Sequence, residues 1–137
     1  MALRISTAAR NAAADKIDDL VSAGGGTFGK IEIRTGSQPA TPDSAATGTL
    51  LATFTLQNPA FGNASAGSIT LGGTPLTVAA SATGTAGWFR VYANGTATAV
   101  VDGACGTSGA ELNLNTVSLN SGVNVTITSG VITMPGA

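Results

Sequence analysis

The residues with chemistry to offer are few. The chain has one cysteine, Cys105, and no histidine. Without histidine, the commonest general base, the commonest metal ligand and the usual activator of a Ser or Cys nucleophile are all missing. Cys105 therefore reads as a small apolar residue in or near a loop. A serine nucleophile would need Lys16 or Lys30 as its base, and nothing in the sequence places either one. Gly24-Gly25-Gly26-Thr27-Phe28-Gly29-Lys30 fits two phosphate-loop patterns at once. A phosphate loop runs from strand into helix, so that the helix N-terminus meets the anion. This one leaves a helix and enters a strand, and Ile31 stands where magnesium requires Ser or Thr. Asp15, Asp18 and Asp19 share a helical side, whereas calcium draws on roughly six to eight oxygens, usually from a loop. Asp102 and Glu111 flank a loop, but spacing alone does not make them a glycosidase pair. The expectation is a non-enzyme with no cofactor and no metal.

Composition points the same way. The 137 residues suit one domain with a real core. Only 9% are charged, against about 25% in an average soluble protein. Gly, Ala, Thr and Ser dominate, so the surface is coated with hydroxyls and small groups. That suits either a soluble monomer with few charges or a chain held in a crowded assembly, where long charged side chains are costly to desolvate. A net charge of −1 offers no footprint for nucleic acid. The single cysteine excludes an internal disulfide. No apolar run reaches the roughly 18 residues of a membrane span, and Met1 to Ser6 is too short for a secretory core.

The elements that must position these residues are one helix and many strands. Residues 7–22 form the helix, capped by Ser6 or Thr7 and ended by Gly24-Gly25-Gly26. Ala9, Ala13, Ile17, Leu20 and Val21 make its apolar face. Asp18 and Asp19 lie at the end where the macrodipole disfavours negative charge. They read as a solvated face, or else as groups aimed at a donor elsewhere. Ile31 and Ile33 alternate with Glu32 and Arg34, and residues 35–48 are a turn-rich loop. Leu50, Ala52, Phe54 and Leu56 share a strand face; residues 68–71 and 76–80 make a short pair; Leu112 and Leu114 alternate with asparagines. Val123, Val125 and Ile127 point inward, and a bulge at Gly130 shifts the alternation to Ile132 and Met134. Asn94-Gly95 reads as a two-residue hairpin turn. Counting outward pairs Tyr92 with Ala97, Arg90 with Ala99 and Trp88 with Val101, with Phe89 facing Val100 and Val91 facing Thr98 on the other side. Both faces carry apolar groups, so both need cover. The expected fold is mainly β: an antiparallel β-sandwich or jelly-roll-like domain of about eight short strands with one N-terminal α-helix. Residues 1–26 form a helical arm and glycine connector, and 27–137 the β-domain.

Three stretches carry a likeness. Ile33 to Phe54, Gly84 to Tyr92 and Gly106 to Asn115 resemble segments of small structural proteins of tailed bacteriophages, and the alanine-rich leading helix belongs to the same picture. The resemblance implies a virion component made in the bacterial host cytoplasm, and among these a capsid decoration (cement) protein on the outer surface of the capsid. Such proteins are small, β-rich, non-catalytic and often trimeric. The implied partner is the major capsid protein, with no nucleic acid and no membrane. A tail fibre, baseplate or host-adhesion module, with Trp88 as a sugar platform, is the alternative. The interface residues expected for docking are Trp88, Arg90 and Tyr92, as aromatic and arginine anchors, with Ile17 and Leu20 on the helix. Phe89, Val91 and Val100 are expected in the core.

Overall fold

The computed structural model describes residues 3–22, 28–93 and 98–134. Helix α1 (Thr7–Ser22) begins where its cap predicts, with Ser6 Oγ accepting the Ala9 N–H at 3.1 Å. The glycines expected to end it lie outside the described residues.

The packing of α1 departs from the apolar-face expectation. Ala14 and Val21 are buried and Ile17 is partly covered, while Ala9, Ala13 and Leu20 remain exposed. A polar stripe turns inward beside Ala14. Asn11 and Asp15 accept the backbone N–H groups of Gly67 and Ala64, each at 2.7 Å. Asp18 accepts the N–H of Phe61 at 2.9 Å, and Ser22 Oγ that of Ala60 at 3.0 Å. The physical reason lies in residues 58–67. They run outside any named strand, so backbone donors there need partners from elsewhere. An unmet buried donor costs about 1–3 kcal/mol. Asp18 has thus found its donor, whereas Asp19 faces solvent.

Among the described residues nine strands follow, against about eight expected: β1 (Lys30–Thr35), β2 (Leu50–Thr55), β3 (Ser68–Thr70), β4 (Leu76–Ala79), β5 (Gly84–Tyr92), β6 (Ala99–Gly106), β7 (Leu112–Leu114), β8 (Ser118–Leu119) and β9 (Asn124–Thr133). The chain is mainly β with one N-terminal helix. The strands form one curled sheet in the order β2-β1-β5-β6-β7-β9-β3, with β4 on β9 and β8 on β5. Just after β4, Ser81 N–H donates to Leu51 O in β2 at 2.8 Å, so the curl brings the sheet back on itself. The packed inner faces hold Ile31, Ile33, Phe54, Phe89, Val91 and Ile127. One pair, β6 with β7, is parallel, which makes the sheet mixed. Asn113 braces the tight turn between them, accepting the Ala110 N–H at 3.1 Å and donating to Ala110 O at 3.2 Å.

Strands β5 and β6 pair antiparallel, but not in the register counted from a two-residue turn. Trp88 faces Ala104, Phe89 faces Gly103, Arg90 faces Asp102, Val91 faces Val101 and Tyr92 faces Ala99. The Asn94-Gly95 turn itself falls outside the described residues, and the last described rung is Ala93 N–H to Thr98 O at 2.9 Å. Two contacts favour the observed register. It gives Arg90 a carboxylate instead of Ala99, and it lays the Phe89 ring over Gly103, where any Cβ would collide with it. Phe89 and Val91 are in the core as expected, and Val100 is partly buried against it. In β9, Val125 and Ile127 point inward, but Val123 sits in the preceding turn and is exposed. The alternation does shift, with the irregularity against β7 between Ile127 and Ser129 instead of at Gly130. Gly130 is needed small, because Leu71 and Leu112 press on it.

The inward stripe makes a prediction. Asp18→Ala should lower unfolding free energy by about 1.5–3 kcal/mol, a melting shift of about 5–12 °C. Asp19→Ala should stay within about 0.5 kcal/mol. Thermal melts by circular dichroism decide it, and equal effects from the two variants would refute the inward role of Asp18.

Candidate functional site

The chain's only tryptophan and only tyrosine lie on one sheet face, the outer side of β1, β5 and β6. Alternation places them there. Lys30, Glu32 and Arg34 of β1 lie opposite Tyr92, Arg90 and Trp88 of β5, and Arg90 in turn lies opposite Asp102 of β6. The result is a charged row across three strands, flanked by two aromatic rings.

At its centre Arg90 and Asp102 form a forked pair, Nε to Oδ1 at 2.7 Å and Nη2 to Oδ2 at 2.8 Å. Arg90 is only 3% exposed. Its hydrogen bonds to Asp102 push the guanidinium pKa up, against the desolvation that would favour the neutral form. The guanidinium also lies 5.3 Å from the Trp88 ring centre. Beside this pair, Glu32 is held between Lys30 at 3.5 Å and Arg34 at 3.1 Å. Lys30 Nζ rests 5.1 Å from the Tyr92 ring centre.

The cover over this face is the chain itself. Residues 36–48, the connection between β1 and β2, fold back as a strap. Its ends are tied where Thr35 N–H donates to Thr49 O at 3.1 Å and Thr49 N–H to Thr35 Oγ1 at 2.9 Å. Arg90 Nη1 donates to Ser44 O at 2.8 Å, and Trp88 Nε1 to Thr35 O at 3.2 Å. Two glycines permit the approach. Gly48 has φ +80° and sits against the Thr35 carbonyl, and a Cβ at Gly87 would land on the Gly36 carbonyl.

The strap changes the roles of the expected anchors. Trp88 at 1% and Tyr92 at 8% exposure are interior groups of this chain, as is Arg90. Trp88 and Arg90 brace the strap through the Thr35 and Ser44 carbonyls, and Tyr92 packs beside Lys30. Ile17 is half-covered against the core, and Leu20, at 49% exposure, is the one expected interface residue that is open. The structure does not bring the chemical candidates together. Asp102 is spent on Arg90, Asp15 and Asp18 on backbone donors, and Lys30 on Glu32. Among the described residues no group of three His, Cys, Asp or Glu is placed to hold a metal. Cys105 is half-buried in β6, and burial, aided by the Glu111 carboxylate, pushes its thiol up from the ordinary 9.0 to about 12. Such a thiol is a poor nucleophile at neutral pH.

Residues that sequence reasoning missed are Ser44, whose carbonyl meets Arg90, and Asn11 and Ser22, which complete a helix set with Asp15 and Asp18. Only the helix set carried a signal, its i, i+4, i+7, i+11 spacing. Comparison with known proteins adds no identification: no family model, no curated protein and no solved structure matches the chain.

Two predictions follow from this geometry. Asp102→Ala should destabilise by about 3–5 kcal/mol by stranding a buried charge, while the double change Arg90→Met with Asp102→Leu should recover most of that loss. Urea unfolding of the two variants beside the unaltered protein measures both effects, and a double variant no better than Asp102→Ala would refute the pairing argument. Cys105 should react slowly with a thiol reagent at pH 8 when folded and rapidly in denaturant. Its folded pKa lies above the unfolded one, so its contribution to stability is complete below about pH 9 and is lost as pH rises toward about 12. In Cys105→Ala the part of the alkaline decline due to the thiol should vanish.

Proposed function

We propose that this chain is a non-enzymatic structural protein of the tailed-phage virion, a capsid decoration protein that binds and stabilises the major capsid lattice. One observation carries the reading. Arg90–Asp102, Glu32 with its two cations, and Asp15 and Asp18 on the backbone are drawn inward, so that Arg4, Lys16, Asp19, Asp43 and Glu111 are the exposed charges among the described residues. What remains outside is rich in hydroxyls and small groups, a surface that neighbouring chains can cover at low desolvation cost. The segments that carry the phage resemblance support it further. Residues 33–54 and 84–92 build the strapped face together, through Thr35, Ser44, Trp88 and Arg90.

The mechanism is additive burial. A standard interface buries about 1,600 Å² in total, and symmetry repeats each small contact over the shell. Large exposed apolar side chains concentrate in the leading segment, at Leu3, Ile5, Leu20 and Phe28, with Leu3 92% exposed. These are the positions we assign to the shell contact. The tail-fibre or host-adhesion alternative loses its expected platform, because the Trp88 ring is interior.

Purified protein added to expanded capsids lacking it should bind and raise their disruption temperature. Leu3→Asp with Leu20→Asp should keep the melting temperature of the free protein and weaken shell binding about tenfold or more. A wild-type protein that ignores shells, or a particle carrying a handful of copies instead of hundreds, would remove the decoration reading.

A further inference from the structure

Two glycines with positive φ bracket the strap, Gly36 at +83° and Gly48 at +80°. Just outside them the two hydrogen bonds between Thr35 and Thr49 clamp its base beside β1 and β2. Inside them the strap holds its own shape. Thr47 Oγ1 donates to Ser37 O at 3.4 Å across the neck. Nearer the tip, Ser44 N–H donates to Thr41 O at 3.1 Å, and the hydroxyls of Thr41 and Ser44 pair at 3.3 Å. We propose that residues 37–47 are a hinged lid, which swings as one piece about the two glycines and has Arg90 as its latch.

The packing separates the strap from the body beneath it. None of residues 36–48 is buried, and only Pro39, Pro42 and Ala46 are even partly covered. The strap therefore adds no side chain to the core. Among the described residues a single hydrogen bond joins residues 37–47 to the rest of the chain, from Arg90 Nη1 to Ser44 O at 2.8 Å. Beyond that tie the tip stands off the sheet, with open space of about 520 Å³ between residues 42–46 and Tyr92, Thr98 and Ala99. A segment with one tie and no core side chain opens at a lower free energy than the whole fold. Glycine at both ends lets the backbone turn there without a Cβ in the way.

Opening leaves the sheet as it is, because β1 and β5 pair directly with each other and Trp88 Nε1 keeps its bond to Thr35 O in β1. Water takes the place of Ser44 O on Arg90 Nη1, while Asp102 keeps the fork, so no buried charge is stranded. What the lid uncovers is Arg90 and the Trp88 ring, 3% and 1% exposed when it is down. It switches the outer face of β5 between a closed surface of small polar groups and an open one with an aromatic ring beside a cation. This device does not depend on shell binding and lies apart from the exposed leading segment.

Hydrogen exchange of the full unaltered chain, followed by NMR in rising urea below the unfolding transition, tests the lid. The Arg90 Nε–H should be protected at least about a hundredfold less than the core amides of Ile33 and Val91, and its protection should barely change with urea, because a local opening exposes little surface. Protection of the two core amides should fall as urea rises. A second chain, with Gly-Gly in place of residues 38–46, should keep a cooperative melt and expose the single tryptophan, read as red-shifted emission that acrylamide quenches. Arg90 protection equal to that of the core amides with the same urea slope, a shortened chain that fails to fold, or one that folds with Trp88 still buried would each overturn the proposal.

Discussion

The forked pair of Arg90 and Asp102 is the constraint from which most of this structure can be understood. A guanidinium buried in a sheet face is tolerable only with a carboxylate in bidentate reach and its other donors engaged. That need fixes the register of β5 on β6, because only one alignment sets Asp102 opposite Arg90. It also fixes the strap, because Arg90 spends a further donor on Ser44 O. One side chain thus joins two neighbouring strands to a distant loop. The glycines at 48 and 87 are the counterpart in shape, leaving room for backbone to lie on backbone.

The helix applies the same economy in another place. Its inward side is half apolar and half acceptor, so it docks by satisfying backbone donors as well as by burying methyl groups. Asn11, Asp15, Asp18 and Ser22 supply what residues 60–67 cannot find in the sheet. An unstructured-looking segment becomes ordered because a helix reads it, turn by turn.

Together these arrangements leave a body whose polar chemistry is largely structural. The proposed function therefore rests on the groups that are left at the surface. Among the described residues the large exposed apolar groups lie mainly in the leading segment.

The sequence by itself determined the fold class, the helix with a cap at Ser6 or Thr7, and most strand positions, since periods of two and of about 3.6 residues are local properties of the chain. The lack of histidine was equally plain, and with it the lack of common reactive pairs. Pairing partners were not legible. Asn94-Gly95 is a strong local hairpin signal, yet register was decided by the distant match of Arg90 with Asp102 and of Phe89 with Gly103. Nor could alternation tell which cover lies over Trp88 and Tyr92; a turn-rich loop gives no sign of where it will fold back. Whether an aromatic ring becomes a surface anchor or an interior brace depends on contacts between segments far apart in sequence, and those exist only once the chain has closed on itself.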